Sequence, residues 1–305
     1  MSGEIRTGCN GKDINMDKHI CEWLLEDKNP DVKLRTLKEY LKYDDIHPEV
    51  MSARENLIKS KEYTGTIKKL HSDKKWDKFD ALMALAEWGL TRKDVGEEID
   101  EEVFRLIKET NFKMACAESF LLRDLVKLGY YNEPVVREEI SSMVGLIKED
   151  GGFGCISNNK KINDPKKPHK SCARLTVEYL LLAAELKLQG IEMDFYSSIT
   201  DYFLKRNIFF RTDDMKTPMV EVMTETFYPP DPIKIGVHNI VYALRMLGVS
   251  LDTEAMRCGI EVLNKYRLED GTYKISGFKS VPAFKPGAKN KKNKWITLYA
   301  YMAQD

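Results

Sequence analysis

The chain has 305 residues and sets 48 Lys+Arg against 48 Asp+Glu, a formal net charge of zero. That balance argues against nucleic acid or a membrane surface as the main partner, because both select a basic excess. No apolar run reaches the ~18 residues needed to cross a bilayer. The first twenty residues are polar and mixed in charge, unlike a secretory signal. Six cysteines in a chain of this length are expected as free thiols or metal ligands in a reducing compartment, which points to a cytoplasmic protein.

Residues 1–15 are expected as a disordered tail and 16–305 as one domain, with weaker repeats over 16–74 and clear ones over 75–303. The first helices are expected over Cys21–Asp27, Asp31–Lys42 and Pro48–Lys59. Strongly apolar helices follow over Phe79–Trp88, Ser119–Leu128 and Val177–Leu188, where apolar residues recur every three or four positions. Each ends in a glycine flanked by an apolar residue: Trp88-Gly89-Leu90, Leu128-Gly129-Tyr130 and the degenerate Gln189-Gly190-Ile191. Leu247-Gly248-Val249 closes a further copy that begins at His238. After each glycine comes a polar link and a charged amphipathic helix: Glu101–Thr110, Glu133–Ile147, Asp194–Arg206 and Thr253–Tyr266.

The glycines are spaced by 40, 61 and 58 residues, a period that marks a helical-hairpin repeat. The apolar member belongs inside and the amphipathic member outside; Lys294–Met302 reads as a last inner helix without an outer partner. Such hairpins stack into an open solenoid or close into an α/α barrel. The expected class is all-α, closed as an α/α toroid. Three irregular stretches, 151–170, 212–234 and 271–293, are expected to gather at one rim and carry function.

Several chemistry-bearing residues sit where inner helices begin. Asp150-Gly-Gly-Phe-Gly-Cys155 precedes a lysine-rich loop, after which Cys172 opens a helix; His238 and Cys116 open two others. If the repeats close, these starts share one rim. A helix N-terminus favours a thiolate, and zinc takes a tetrahedral set of Cys, His and carboxylate ligands. The candidate set is Cys172 and His238, completed by Cys155, Asp164 or Cys116. The bland alternative is that the cysteines are small buried apolar residues. Glu118, two residues after Cys116, is a candidate base or ligand-orienting group. The aromatic residues Trp88, Phe120, Tyr179, Tyr242, Tyr299 and Tyr301 either fill a plain core or line an apolar cavity; Tyr242, one turn after His238, is the functional candidate. The run Lys285–Lys294 is a solvated loop or an anion clamp.

DGGFGC, the lysine-rich loop, Cys172 on a helix, and His238-x-x-x-Tyr242-x-Leu244-x-x-Leu247-Gly248 together resemble the β-subunit of protein prenyltransferases. They also resemble the wider prenyltransferase/squalene-cyclase repeat superfamily. The resemblance covers residues 75–303 as repeats and is sharpest over 150–180 and 236–250. It implies an α/α toroid holding an isoprenoid-like substrate, with one Zn2+ activating a thiolate for transfer. In that family an Asp, a Cys two residues later and a later His hold the zinc; Cys172 and His238 match, but Lys170 stands in the Asp position. Lys161, Lys167, Lys170 and Arg174 are loosely comparable with its diphosphate-binding basic residues.

The Asp-x-Asp-Asp acid motif of triterpene cyclases and the Asp-Asp-x-x-Asp motif of magnesium-dependent prenyl synthases are both absent. Two readings remain beside the zinc transferase: a non-catalytic toroid that binds a ligand or peptide, and an acid-catalysed cyclase using another carboxylate.

Overall fold

The structure is a computed structural model that describes residues 16–96, 99–110, 112, 116–154, 171–285 and 287–305. The described residues are dominated by helix. In chain order these are α1 (Lys18–Leu24), α2 (Pro30–Arg35), a π-helical turn (Thr36–Tyr40), α3 (Pro48–Ile58), α4 (Lys61–Leu70), α5 (Lys75–Glu87) and α6 (Arg92–Val95). There follow α7 (Asp100–Glu109), α8 (Cys116–Leu128), α9 (Pro134–Val144), α10 (Ala173–Leu188), α11 (Phe195–Leu204), α12 (Val237–Met246), α13 (Glu254–Asn264) and α14 (Lys294–Gln304).

The glycine signatures are helix stops of one kind. At α5, α8, α10 and α12 the residue after the glycine donates its N–H to a carbonyl five positions back: Leu90 to Leu85, Tyr130 to Leu125, Ile191 to Leu186 and Val249 to Leu244. The glycines themselves have φ of +72°, +95°, +74° and +87°. That is the Schellman geometry, which glycine adopts without Cβ strain and which carries an apolar residue just beyond it.

The apolar helices are neighbours in order: α5 packs on α8, α8 on α10, α10 on α12 and α12 on α14. The helix α14 then packs on α2 and the π turn, α2 on α3, α3 on α4, and α4 on α5, so the series of neighbours returns to its start. Contacts near the starts and ends of α8 and α10 fall in the same order along both helices. Tyr179 Oη lies 3.4 Å from Ser119 Oγ, and Lys127 Nζ lies 3.1 Å from Glu185 Oε1. The two helices are therefore parallel. The amphipathic α9, α11 and α13 pack on α8, α10 and α12 respectively.

Two differences from the sequence expectation have clear causes. The Asp31–Lys42 helix is broken into α2 and the π turn, where Leu41 N–H reaches back five residues to Thr36 O (2.9 Å). The helix α4 was not expected, because Gly65 and few apolar residues weaken its pattern. It forms through the Ser60 cap on Tyr63 N–H and burial of Thr66 and Leu70 beside α5.

The turn at 150–153 and its bonds to the start of α10 have a second copy near the C-terminus. Phe153 N–H donates to Thr176 Oγ1 (2.9 Å), which donates to Cys172 O (2.9 Å), while Cys172 N–H donates to Phe153 O (2.8 Å). Tyr273 N–H likewise donates to Thr297 Oγ1 (2.9 Å), which donates to Asn293 O (2.8 Å), while Asn293 N–H donates to Tyr273 O (2.9 Å). Asp150-Gly-Gly-Phe153 and Asp270-Gly-Thr-Tyr273 are thus one device that leads an outer helix back to an inner one. Cys172 and Asn293 both stand at the N-cap position of the following helix, and the Asn293 side chain accepts from Ile296 N–H (3.0 Å).

The irregular stretches 212–234 and 271–293 meet through a parallel pair of two-residue strands, β1 (Phe227–Tyr228) and β2 (Gly277–Phe278). Beside them, Phe284 sits against Tyr228 (5.3 Å between ring centroids), Trp295 (5.9 Å) and Trp88 (5.9 Å). Tyr228 stacks flat on Trp295 at 4.9 Å.

Candidate functional site

Where the inner helices face one another, the structure places buried charge. Glu87 of α5 is fully buried and accepts hydrogen bonds from Arg123 of α8 (2.8 Å), Tyr299 of α14 (2.8 Å) and Tyr228 of β1 (3.2 Å). Arg35 of α2 donates to the Glu87 carbonyl (2.5 Å) and pairs with Glu39. Burial alone would raise the Glu87 carboxyl, but Lys127, Arg123 and Arg35 outweigh it and hold the group down at about 2. Tyr242 and Tyr299 meet edge to face at 5.3 Å in the same region. The meeting place of the helices is therefore packed with a hydrogen-bonded ion network.

Beside it lies an apolar cavity of about 140 Å³ between the first halves of α5 and α8. Trp76, Phe79, Met83 and Phe120 line it, and residues 230–233 and Lys279 cover it. Lys279 holds that cover by pairing with Asp80 of α5 (2.6 Å) and Asp231 (3.2 Å). Asp124 also lines the cavity and is only 2% exposed. Burial pushes its carboxyl up to about 6, against the pull of the adjacent Arg123. Arg123 donates from both Nε (2.9 Å) and a terminal nitrogen (2.5 Å) to one oxygen, Oδ1. A carboxyl that changes protonation near neutrality inside an aromatic-walled cavity is equipped to hand a proton over or to take one.

The residues singled out from the sequence occupy several surroundings. Cys172 is part-buried and lines a cleft of about 1030 Å³, with Arg174 exposed on the first turn of α10. In that cleft the Arg206 guanidinium lies 3.8 Å from the Tyr202 ring centroid and 3.1 Å from Asp150 Oδ2. His238 is fully buried, 5.5 Å from the Tyr299 ring, and neither ring nitrogen has a hydrogen-bond partner among the described residues. Burial drives its pKa down to about 3, with Glu87 pulling weakly the other way, so the imidazole is neutral. Glu118 pairs with Lys75 of α5 (2.5 Å). Cys116 begins α8, as expected. Cys155, Lys161, Asp164, Lys167 and Lys170 lie outside the described residues.

A neutral, buried imidazole with unpartnered nitrogens fits a metal ligand. Among the described residues, however, no group of three or more His, Cys, Asp or Glu side chains is arranged to hold a metal ion. Only Cys172 and His238 of the expected set have described side chains; Cys172 lines the cleft of about 1030 Å³ and His238 is buried against Tyr299. Among the described residues, no helix is long and apolar enough to cross a membrane.

The sequence reasoning missed Glu87, Arg123 and Asp124. Their signal was present: each is a charge embedded in an inner helix whose neighbours are apolar, a position that an unpaired charge cannot occupy. Compared with known proteins, the chain matches no family model, no curated protein and no solved structure.

Proposed function

We propose that the chain is an α/α toroid of the prenyltransferase/terpenoid-cyclase type. It takes a small apolar, isoprenoid-like group into the cavity between α5 and α8 and transfers or cyclises it with Asp124 as general acid–base. The observation that carries this reading is the Asp124 carboxyl, held near neutrality within walls of Trp76, Phe79 and Phe120. The return of the neighbour series from α14 through α2, α3 and α4 to α5 supports the toroid. A cavity of ~150 Å³ admits a group the size of benzene, so this one suits a single isoprene-sized end. The rest of a longer substrate would run out past the exposed Trp76 and Ile233.

Protonated Asp124 gives its proton to the leaving oxygen of an allylic alcohol as the C–O bond breaks and water departs. The allylic cation is stabilised by the surrounding aromatic rings. It then returns a proton from carbon to the Asp124 carboxylate, or is captured by a nucleophile. Incubation with geraniol and farnesol, with products followed by mass spectrometry, tests this. Turnover should follow the protonation of a group near pH 6 and fall about 100-fold or more in Asp124→Asn. Turnover unchanged in that variant removes Asp124 from the chemistry, and binding without any turnover leaves a toroid that only holds its ligand.

The zinc-transferase reading is favoured by the unpartnered nitrogens of His238. Cys172 and His238 would supply two ligands, and a bound zinc would keep a thiolate nucleophile charged at neutral pH. Elemental analysis of protein purified without added metal separates this reading from the acid–base one.

A further inference from the structure

A third space lies away from the Asp124 cavity, between the N-terminal helices and the loop that leads into α14. It is a cleft of about 380 Å³. Trp23, Trp88 and Trp295 line it, and so do four lysines: Lys28, Lys285, Lys292 and Lys294. The acidic residues in the same lining are Asp31 and Glu62, and Glu26 and Asp270 reach its lysines from just outside.

Three features of this cleft are hard to account for as plain packing. Trp88 is fully buried, yet its indole N–H has no acceptor among the described residues. Buried donors are almost always paired, so this N–H awaits an acceptor. The Lys292 and Lys294 ammonium groups both approach the Trp23 ring, at 5.1 and 5.4 Å from its centroid, gathering two like charges at one aromatic face. Lys294 is held below the usual lysine range by burial and by Lys28 nearby, even though Glu26 Oε2 lies 2.9 Å away. Lys285 pairs with Glu62 and Lys292 with Asp270 (3.5 Å), but Lys28 (2.8 Å) and Lys294 (2.9 Å) share the single Glu26 carboxylate, so one of the four ammonium groups has no carboxylate of its own.

We infer that this cleft binds a small organic anion with a flat apolar body. The tryptophans take the body, Lys285, Lys292 and Lys294 take the acidic head group, and the Trp88 indole N–H donates to the ligand. The volume falls at the lower end of the ~300–1,000 Å³ of small-molecule sites, which suits a one- or two-ring acid. This site is independent of the proposed chemistry at Asp124, with which it shares no lining residue.

Two probes of matched shape and opposite charge provide the test: indole-3-acetate and tryptamine, titrated calorimetrically into the full chain, with inorganic phosphate as the head group alone. Indole-3-acetate should bind at one per chain, about tenfold or more tighter than tryptamine or phosphate. In a 15N-labelled sample the Trp88 indole signal should move while that of Trp76, which lies outside the cleft, stays in place. The double variant Lys285→Gln/Lys292→Gln changes two exposed side chains and should keep the fold while losing about tenfold in affinity. Equal binding of tryptamine overturns the charge argument, and equal binding of phosphate overturns the role of the tryptophans. Unchanged affinity in the double variant, or no binding of indole-3-acetate at millimolar concentration, overturns the site.

Discussion

Replacing Glu87 by Gln keeps the shape of the side chain and removes the charge that faces Arg35, Arg123 and Lys127. The carboxylate is fully buried and accepts from Arg123, Tyr299 and Tyr228, three groups on three different elements. Its pKa lies at about 2 in the fold against 4.5 for the free group. That difference corresponds to about 3 kcal/mol of stability at pH 7, and removing one partner from a buried ion pair costs ~3–5 kcal/mol. The sign follows from the depressed pKa. The contribution is complete above pH 4.5 and is lost as pH falls towards 2. Urea unfolding of wild type and Glu87→Gln, followed by circular dichroism, should give a gap of about 3 kcal/mol at pH 7. At pH 3.5 the gap should be about 1 kcal/mol smaller. A gap below about 1 kcal/mol at pH 7, or one that does not shrink in acid, would refute the claim that this carboxylate holds the inner helices together through its charge.

Asp124 should behave with the opposite sign. Its folded pKa of about 6 lies above the free value of 3.8, so its ionisation weakens the fold as pH rises through that window, by about 3 kcal/mol in all. The stability of wild type relative to Asp124→Asn should fall by about 2 kcal/mol of this between pH 4 and pH 7, and parallel curves would show that the carboxyl has an ordinary pKa. Thr176→Val and Thr297→Val should each cost about 1–3 kcal/mol, because each strands a buried N–H, of Phe153 or Tyr273. Clearly unequal losses in thermal unfolding would mean that the two copies are not one device. If zinc is bound, purified protein should carry about one ion per chain. Cys172→Ala/His238→Ala should lose it, whereas metal-free protein with a native circular dichroism spectrum would end the zinc mechanism.

The order and type of the inner and outer helices were legible in the sequence because their determinants are local. The apolar run Val177–Leu188 is buried at most of its positions, and the glycine after each apolar helix meets a backbone need that the structure confirms at Gly89, Gly129, Gly190 and Gly248. Cys172, His238 and Cys116 were correctly placed at helix starts for the same reason. Their surroundings were not legible. Cys172 came to line an open cleft and His238 a buried network, because the facing of helices is set by contacts distant in the chain, from 56 residues between Asp150 and Arg206 to 212 between Glu87 and Tyr299. The match between Asp150-Gly-Gly-Phe153 and Asp270-Gly-Thr-Tyr273 was readable but hidden by the changed third and fourth residues. Only the hydrogen bonds through Thr176 and Thr297 make the equivalence plain.

Sequence by itself thus determined the helical class and the positions where helices stop, since each depends on a few adjacent residues and their backbone preferences. Tertiary structure alone decided where the chemistry sits. A glutamate, two arginines and an aspartate scattered over α2, α5 and α8 acquire shifted pKa values only when packing removes water from all of them together. The Asp124 carboxyl is an ordinary acid in the chain, and the cavity of Trp76, Phe79 and Phe120 makes it a group that titrates near neutrality.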